Sequence, residues 1–437
     1  MKSKKDFITI GFALFAMFFG AGNLLLPPYI GLLVGDQYFI TVLAFALSGI
    51  ILPLLGIVAI TMSGDTIEDM GKWTNRGVIT VLGTLIMLSI GPLIAIPRTA
   101  ATTFEVGVQP IFPEAKPMVT SVVFFIITLF LSISSSKVVD IIGKFLTPVL
   151  LIVLTVLVVL GIFFPISSPV DLSKTSNEAF SLGFVEGYQT LDALASLIFA
   201  GIIIAAAKAK GHVLLKEKTK VVILSGILSA ACLVFIYGGL VYLGATSGVT
   251  DPSIRRSDLL IQLAQNILGG YSTFAIAICI GFACLTTAIA LTSAFGSFFE
   301  RLTKGKVNYK AFVILCCIFS SMISVLGVDD IITYAYPFLA FVYPIAITLV
   351  IYVVGFGKRI KSRSPYTGAL IATTLFSLIE VSINFFNYSP DIFLSIRKLP
   401  FYSYEIGWLI PSIIGFVIGL SLPKKRDNAL ITSSKLN

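Results

Sequence analysis

The chain has 437 residues, of which 57% are hydrophobic and only 12% charged. A soluble chain of this length needs far more polar surface to cover itself, so a water-soluble globular class is excluded. The net charge of +9 reflects 31 basic against 22 acidic residues, but the basic ones are scattered over many short loops, so the charge needs no nucleic acid to explain it.

The start, MKSKKDFITIGFALF, has the basic head and apolar run of a secretory signal peptide. The run is too long for one and many apolar segments follow it, so a retained first helix is expected. A hydrocarbon core of about 30 Å takes about 20 apolar residues per helix. Twelve such spans are read, at about 7–34, 39–62, 77–107, 118–135, 141–164, 180–207, 219–245, 269–300, 309–326, 330–355, 366–388 and 404–421. The link 246–268 contains SDLLIQLAQNILGG, which is amphipathic and reads as a short extra helix. No linker divides the chain, so a single all-α polytopic membrane domain over 1–437 is expected. An even number of spans puts both ends on one side. Most of the 31 lysines and arginines fall on that side, including Lys72, Arg76, Lys137, Lys144, the run Lys208–Lys220 and the tail. The positive-inside rule then places both termini in the cytoplasm, with the protein in the cell's inner (plasma) membrane. The five cysteines lie in apolar runs without metal-site spacing and read as core residues. The single histidine, His212, sits in a lysine-rich loop and reads as solvated.

Span one carries FFGAGNLLLPP, Phe18 to Pro28, near its midpoint. Irregular backbone inside a membrane survives only when buried in protein or lining a polar cavity, so this stretch is either a passive kink or a binding site. Span three carries Arg98, which needs a partner at that depth. Glu105 falls on its helical face and Glu186 is a neighbour to consider; a structural ion pair, an extracellular gate and a carboxylate contact all remain open. Span six reads GFVEGYQTLDALASLIF, a second interruption with Glu186, Gly187, Gln189, Thr190 and Asp192 close together. Its two acids are either functional or solvated at a cavity rim. Breaks in spans one and six are the arrangement expected of two five-helix repeats with inverted topology. The restarted half-helix at Ala21, Gly22 and Asn23 would offer free N–H groups to a carboxylate, and carbonyls near Ala16 to Phe19 would suit a cation. Two such poles fit a zwitterion. The apolar neighbours Phe18, Phe19, Leu24, Leu25, Tyr188, Leu191, Ala193 and Leu194 favour an aliphatic side chain. In span eight, Ala283, Thr286 and Thr287 share a helical face. With carbonyls of span one they would make an oxygen site for a small hard cation, unless the threonines simply bond back to their own helix. Glu380 in span eleven is assigned no transport role.

The runs FALFAMFFGAGNLLLPPYIG, GPLIAIPRTAATTFEVG, VEGYQTLDALASLIFA and FACLTTAIALTSA resemble the bacterial branched-chain amino acid transport carrier family, cation symporters for leucine, isoleucine and valine. The resemblance covers nearly the whole chain. It implies the 5+5 inverted-repeat fold of the bacterial leucine transporter, LeuT, with discontinuous helices one and six. Repeat one would cover about 7–164, repeat two about 180–355, and accessory helices about 366–421. It implies substrate binding at Gly20, Ala21, Gly22, Asn23, Tyr188, Thr190 and Asp192, between helices one, three, six and eight. Ala21 and Gly22 amides would hold the carboxylate. Asp192 stands where the leucine transporter has a neutral residue, which puts that protein's first sodium site in doubt here and pairs Asp192 with the substrate ammonium. Ala16, Phe19, Ala283, Thr286 and Thr287 match its second sodium site. Sodium is the expected coupling ion, with the proton left open, and no cofactor is called for. The expected partners are a branched-chain amino acid and the lipid bilayer, with no nucleic acid and no obligate protein partner. A channel would need a symmetric pore motif and an intramembrane enzyme a catalytic constellation; neither is found. A proton-coupled carrier for another small neutral solute, or a nutrient sensor that binds without transporting, remains as an alternative.

Overall fold

The computed structural model describes residues 2–133, 147–386, 399–404 and 406–422. Lys137, Lys144, the tail lysines and the start of the span expected at 141–164 lie outside them. The described residues form helices and no strand. Span one is two helices, α1 (Lys2–Phe18) and α2 (Ala21–Val34). Span two is α3 (Tyr38–Ala46) and α4 (Leu52–Ser63), joined by a π-helical turn over Leu47–Ile51. Span three is α5 (Arg76–Leu88) and α6 (Ala95–Thr102), with one π-helical segment between them, Ser89–Leu93, and another after α6, Thr103–Val108. Then come α7 (Pro117–Ser132) and α8 (Thr147–Phe163). Span six is α9 (Ser176–Gln189) and α10 (Asp192–Ala209). The remainder are α11 (Leu215–Ala245), α12 (Arg256–Leu268), α13 (Ser272–Leu302), α14 (Tyr309–Ile323), α15 (Val328–Phe356), α16 (Ser364–Phe386) and α17 (Leu409–Ser421). The amphipathic link is α12, as its pattern leads one to expect. Eight helices among the described residues are long and apolar enough to cross a membrane, and four shorter apolar ones accompany them.

The layering follows from which helices are apolar all round. From Ala13 to Phe19 the end of α1 is almost wholly buried, and α10 is buried along most of its length, so these two lie in the centre. At the periphery, Phe130 of α7, Ile152 of α8 and Phe319 of α14 are exposed, the apolar belt that a helix turned toward lipid presents. Both halves of span one pack on α11, while α9 packs on α3 and α10 on α4. Gly187 of α9 lies directly on the π-turn of span two: a Cβ there would fall 1.9 Å from Ser48 Oγ and 3.1 Å from the Gly49 nitrogen.

Loop charges are tied down on the basic side. Asp65, between α4 and the next turn, binds Lys208 and, at 2.6 Å, Lys218. Partial burial pushes the Asp65 carboxyl up, but the two ammonium groups outweigh it and hold it below its ordinary value. His212 is not solvated as expected: its Nε2 lies 3.1 Å from Asp6 Oδ2, because the α10–α11 loop folds back over the start of α1. Four of the five cysteines are buried and all are free thiols.

The approach of α2 to α11 is a backbone contact. A Cβ on Gly244 would lie 1.8 Å from the Pro28 carbonyl oxygen, and one on Gly31 1.9 Å from that of Val241. Small residues permit such contact, and packing is what joins helices in lipid. Gly244→Ala should therefore force the pair apart and lower stability by about 1–3 kcal/mol. Thermal unfolding of the detergent-purified protein will read this; an unchanged Tm would mean that α2 and α11 separate without cost.

Candidate functional site

The two interruptions meet in the centre, and each is narrower than its sequence implies. In span one only Phe19 and Gly20 lie outside helix, and Gly20 is extended (φ −114°, ψ −162°). Ala21, Gly22 and Asn23 already form the first turn of α2, whose N–H groups have no partner within the helix. In span six, Glu186 and Gly187 remain helical, and the break is Thr190 and Leu191. Leu191 is left-handed (φ 69°, ψ 4°), a conformation that costs a bulky residue about 1–3 kcal/mol and persists only where its surroundings impose it. Asp192 begins α10, so its carboxylate sits at a positive helix end.

A hydrogen-bonded chain crosses between the breaks. Asn23 Nδ2 donates to Asp192 Oδ2 at 2.5 Å and also to the Tyr237 hydroxyl. The Tyr237 hydroxyl points at the same carboxylate oxygen, 3.4 Å away. The Asp192 N–H donates to Thr190 Oγ1 at 3.3 Å, and that hydroxyl donates to the Gly187 carbonyl at 2.8 Å. All four polar side chains of this network, Asn23, Thr190, Asp192 and Tyr237, are buried.

Arg98 reaches the same place from a third interruption, in span three. Gly91 is non-helical (φ −86°, ψ −126°) beside Pro92, and α6 restarts at Ala95 with Arg98 one turn in. Its side chain is 4% exposed. Nη1 donates to the Gln189 carbonyl at 2.9 Å and Nη2 to that of Thr190 at 3.5 Å. Arg98 thus satisfies the carbonyl end of α9. Its Nε is buried with no hydrogen-bond partner among the described residues. The guanidinium stands on Gly22, where a Cβ would lie 2.5 Å from Nη2.

An Arg98–Glu105 ion pair, one of the readings left open by the sequence, is not formed among the described residues. The π-helical segment Thr103–Val108 turns Glu105 away from the face that an unbroken α-helix would share with Arg98. Glu105 instead accepts the Val328 N–H at 2.9 Å. Glu186 lies 3.7 Å from Arg256 of α12, which also binds Asp329 at 3.1 Å and covers the Tyr29 ring at 4.5 Å.

Between the breaks is a cavity of about 20 Å³. Gly20, Ala21, Asn23, Arg98, Thr190, Asp192 and Thr287 line it, with Phe18, Ile90, Ala95, Phe199 and Leu291 as the apolar wall. Gly22 lies beneath Arg98, and Tyr188 is not part of the lining: it packs on Tyr343 and borders a separate cavity of about 40 Å³ with Glu380. On the basic side a vestibule of about 610 Å³ runs beside α10 and α13, with Asp65, Lys208 and Arg301 at its walls. Next to the central cavity, Thr286 Oγ1 donates to the Ala16 carbonyl and bonds back to that of Ala283, both at 2.8 Å. Thr287 Oγ1 donates to the Met17 carbonyl at 3.1 Å. Ala16, Ala283, Thr286 and Thr287 are therefore together. The Phe19 ring stacks on Tyr237, and Met17, within the stretch Ala16 to Phe19 whose carbonyls the sequence points to, supplies one of them.

A sequence model of the family described as branched-chain amino acid transport protein matches residues 3–426. The chain belongs to this family. Among the relatives of this branched-chain amino acid transport family are two Bacillus subtilis permeases. The branched-chain amino acid permease BraB is 37% identical, covering 98% of each chain. The permease BrnQ is 35% identical over 95% of this chain and 96% of its own. Among solved structures, Mhp1, a nucleobase-cation-symport-1 family transporter, superposes with a TM-score of 0.62 at 14% identity, covering 98% of this chain and 96% of its own. A sodium-coupled sialic acid symporter gives 0.60 at 13% identity over 96% and 91%. At such identities these two speak for the fold alone, which is of the LeuT type. The family and these neighbours are transporters, not enzymes, and this chain is a multi-pass membrane protein.

The Asn23–Tyr237–Asp192 chain is the part of the site most open to a conservative change. Tyr237→Phe keeps the ring but leaves one Asn23 N–H facing no acceptor. Such a buried orphan costs about 1–3 kcal/mol. The expected result is a lower midpoint of thermal or denaturant unfolding, and stability equal to wild type would break the chain as described.

Proposed function

We propose that this protein imports leucine, isoleucine and valine across the plasma membrane by cation symport, with alternating access around the central cavity. The proposal includes twelve spans, a 5+5 inverted repeat (about 7–164 and 180–355) with accessory helices at 366–421, and both termini in the cytoplasm. The observation that carries it is one apolar cavity flanked by two buried side chains of opposite charge, Arg98 and Asp192, where the helix breaks meet. Ionisable groups within a membrane are costly and mark substrate or ion paths. The first-turn N–H groups at Ala21 to Asn23 are the anion pole, and Asp192 takes the ammonium. The apolar wall suits an aliphatic side chain and penalises a second charge. At about 20 Å³ the cavity admits a water and no leucine, so it must widen to bind.

The cation proposed is sodium. Carbonyls of Ala16, Met17 and Ala283 and hydroxyls of Thr286 and Thr287 form an all-oxygen donor set, the chemistry a hard cation prefers. The donors come from α1 and α13, so an ion between them would favour one arrangement of the two. An ion biases conformation only through its differential affinity for the states. The second reading, proton coupling, is favoured by one observation: Asp192 is a buried carboxylate inside a hydrogen-bonded chain.

Uptake of labelled leucine into proteoliposomes, with sodium and pH gradients imposed one at a time, tests both. Sodium-driven accumulation is expected, with isoleucine and valine competing and lysine and glutamate competing poorly. Accumulation driven by pH alone would move the coupling to Asp192, and no uptake under either gradient would leave a sensor. Thr287→Ala should shift the sodium dependence of uptake to higher concentration, with a smaller change in leucine affinity at saturating sodium. An unaltered sodium curve would remove Thr287 from the ion site.

A further inference from the structure

We propose that Arg98 is the group that selects the substrate's carboxylate, binding it side-on through Nε and Nη2. This rests on the amino-acid reading above and names a residue that carries its specificity. Guanidinium has five donors in a planar fork. One edge of Arg98 is committed: Nη1 holds the Gln189 carbonyl at 2.9 Å. The other edge is not. Nε is buried without a partner among the described residues, and Nη2 reaches Thr190 only at 3.5 Å, the limit of a hydrogen bond. These two nitrogens present parallel N–H groups at the spacing of two carboxylate oxygens.

The position of that edge matches the zwitterion. Nη2 stands over Gly22, at the N-terminal end of α2, so a carboxylate arriving at the free N–H groups there meets the guanidinium as well. Asp192 lines the same cavity and takes the ammonium end. A charged pair of partners therefore meets a charged pair on the ligand, and each buried charge gains its counterpart. A Cβ at Gly22 would displace Nη2 from this position.

The carboxylate also acts on the helix that Arg98 holds. Nη2 has two N–H groups, so the one on the Nε side meets the ligand while the other stays turned to the Thr190 carbonyl, and Gln189 keeps its bond to Nη1. The bound carboxylate is thus tied through Arg98 to the end of α9, beside the left-handed Leu191. A lysine here has a single point of charge. It can replace one tie but cannot serve a carbonyl and both carboxylate oxygens.

The test compares L-leucine with L-leucinol, which keeps the ammonium and side chain but has an alcohol in place of the carboxylate. Dissociation constants of both are measured by calorimetry on the purified full-length wild type, Arg98→Gln and Arg98→Lys. Wild type should prefer leucine. The preference should fall by about 30-fold or more in Arg98→Gln, the range for losing one partner of a desolvated charge pair, and by a smaller factor in Arg98→Lys. Leucinol affinity should stay within about 3-fold of wild type (about 0.6 kcal/mol). A purely structural role would weaken both ligands alike and leave their ratio unchanged, which overturns the proposal. If Arg98→Gln does not fold, Arg98→Lys, which keeps the charge beside the Gln189 carbonyl, decides alone: an unchanged ratio assigns the carboxylate to the α2 N–H groups. Wild type that binds neither ligand would sink the amino-acid reading itself, a different result from leucine binding with the preference kept in the variants.

Discussion

A backbone N–H or C=O without a partner is not tolerated inside hydrocarbon, and the rest of the centre depends on this constraint. Breaking a helix exposes several such groups at once. The carbonyl end of α1 is met by Thr286 and Thr287 of α13, and the carbonyl end of α9 by Arg98 of α6. The remaining N–H end of α2 faces the cavity beside Arg98 and Asp192. The helices that crowd the site are those that complete the broken ones. That end has the polarity that suits an anion.

The same constraint accounts for the charges. A buried ion pair seldom stabilises a protein relative to well-packed apolar residues. Arg98 and Asp192 are held by partial measures instead: carbonyls for one, and an amide, a phenol and a helix N-terminus for the other. Neither set neutralises its charge. That incompleteness separates the centre from arrangements nearer the surface, such as Asp65, whose carboxylate meets two ammonium groups directly, Lys208 and Lys218.

Much of this was legible in the sequence wherever a residue type is itself the cause. Gly20 and Gly22 with Asn23 mark the first break, and the threonine spacing in span eight marks a face turned to α1. Asp192 is conspicuous because an acid is out of place there. What could not be read has a physical reason in each case. The partners of Arg98 are carbonyls, which have no residue signature, so an acid was sought for it and Glu105 was offered by helical periodicity. That periodicity fails because the π-helical segment Thr103–Val108 resets the register beyond Arg98, and such turns leave little trace in an apolar run. The third break did carry a signal, in Gly91 and Pro92, overshadowed by the arginine beyond it. Tyr237 sits in an unremarkable apolar stretch and is identified only by what its hydroxyl touches. His212 joins Asp6 across the fold, which local sequence does not disclose.

The contact of Gly187 with the π-turn at Ser48 and Gly49 has a mechanical consequence. It sets the weak point of span two beside the weak point of span six, at one level in the protein, with α3 packed on α9 above and α4 on α10 below. A single break is a ball joint, free to swivel in any direction. Two breaks side by side define a line, as two pins define the axis of a door. Span one has no such companion, since the uninterrupted α11 runs along both its halves as a splint. The two breaks thus give spans two and six a common line, while α11 braces both halves of span one.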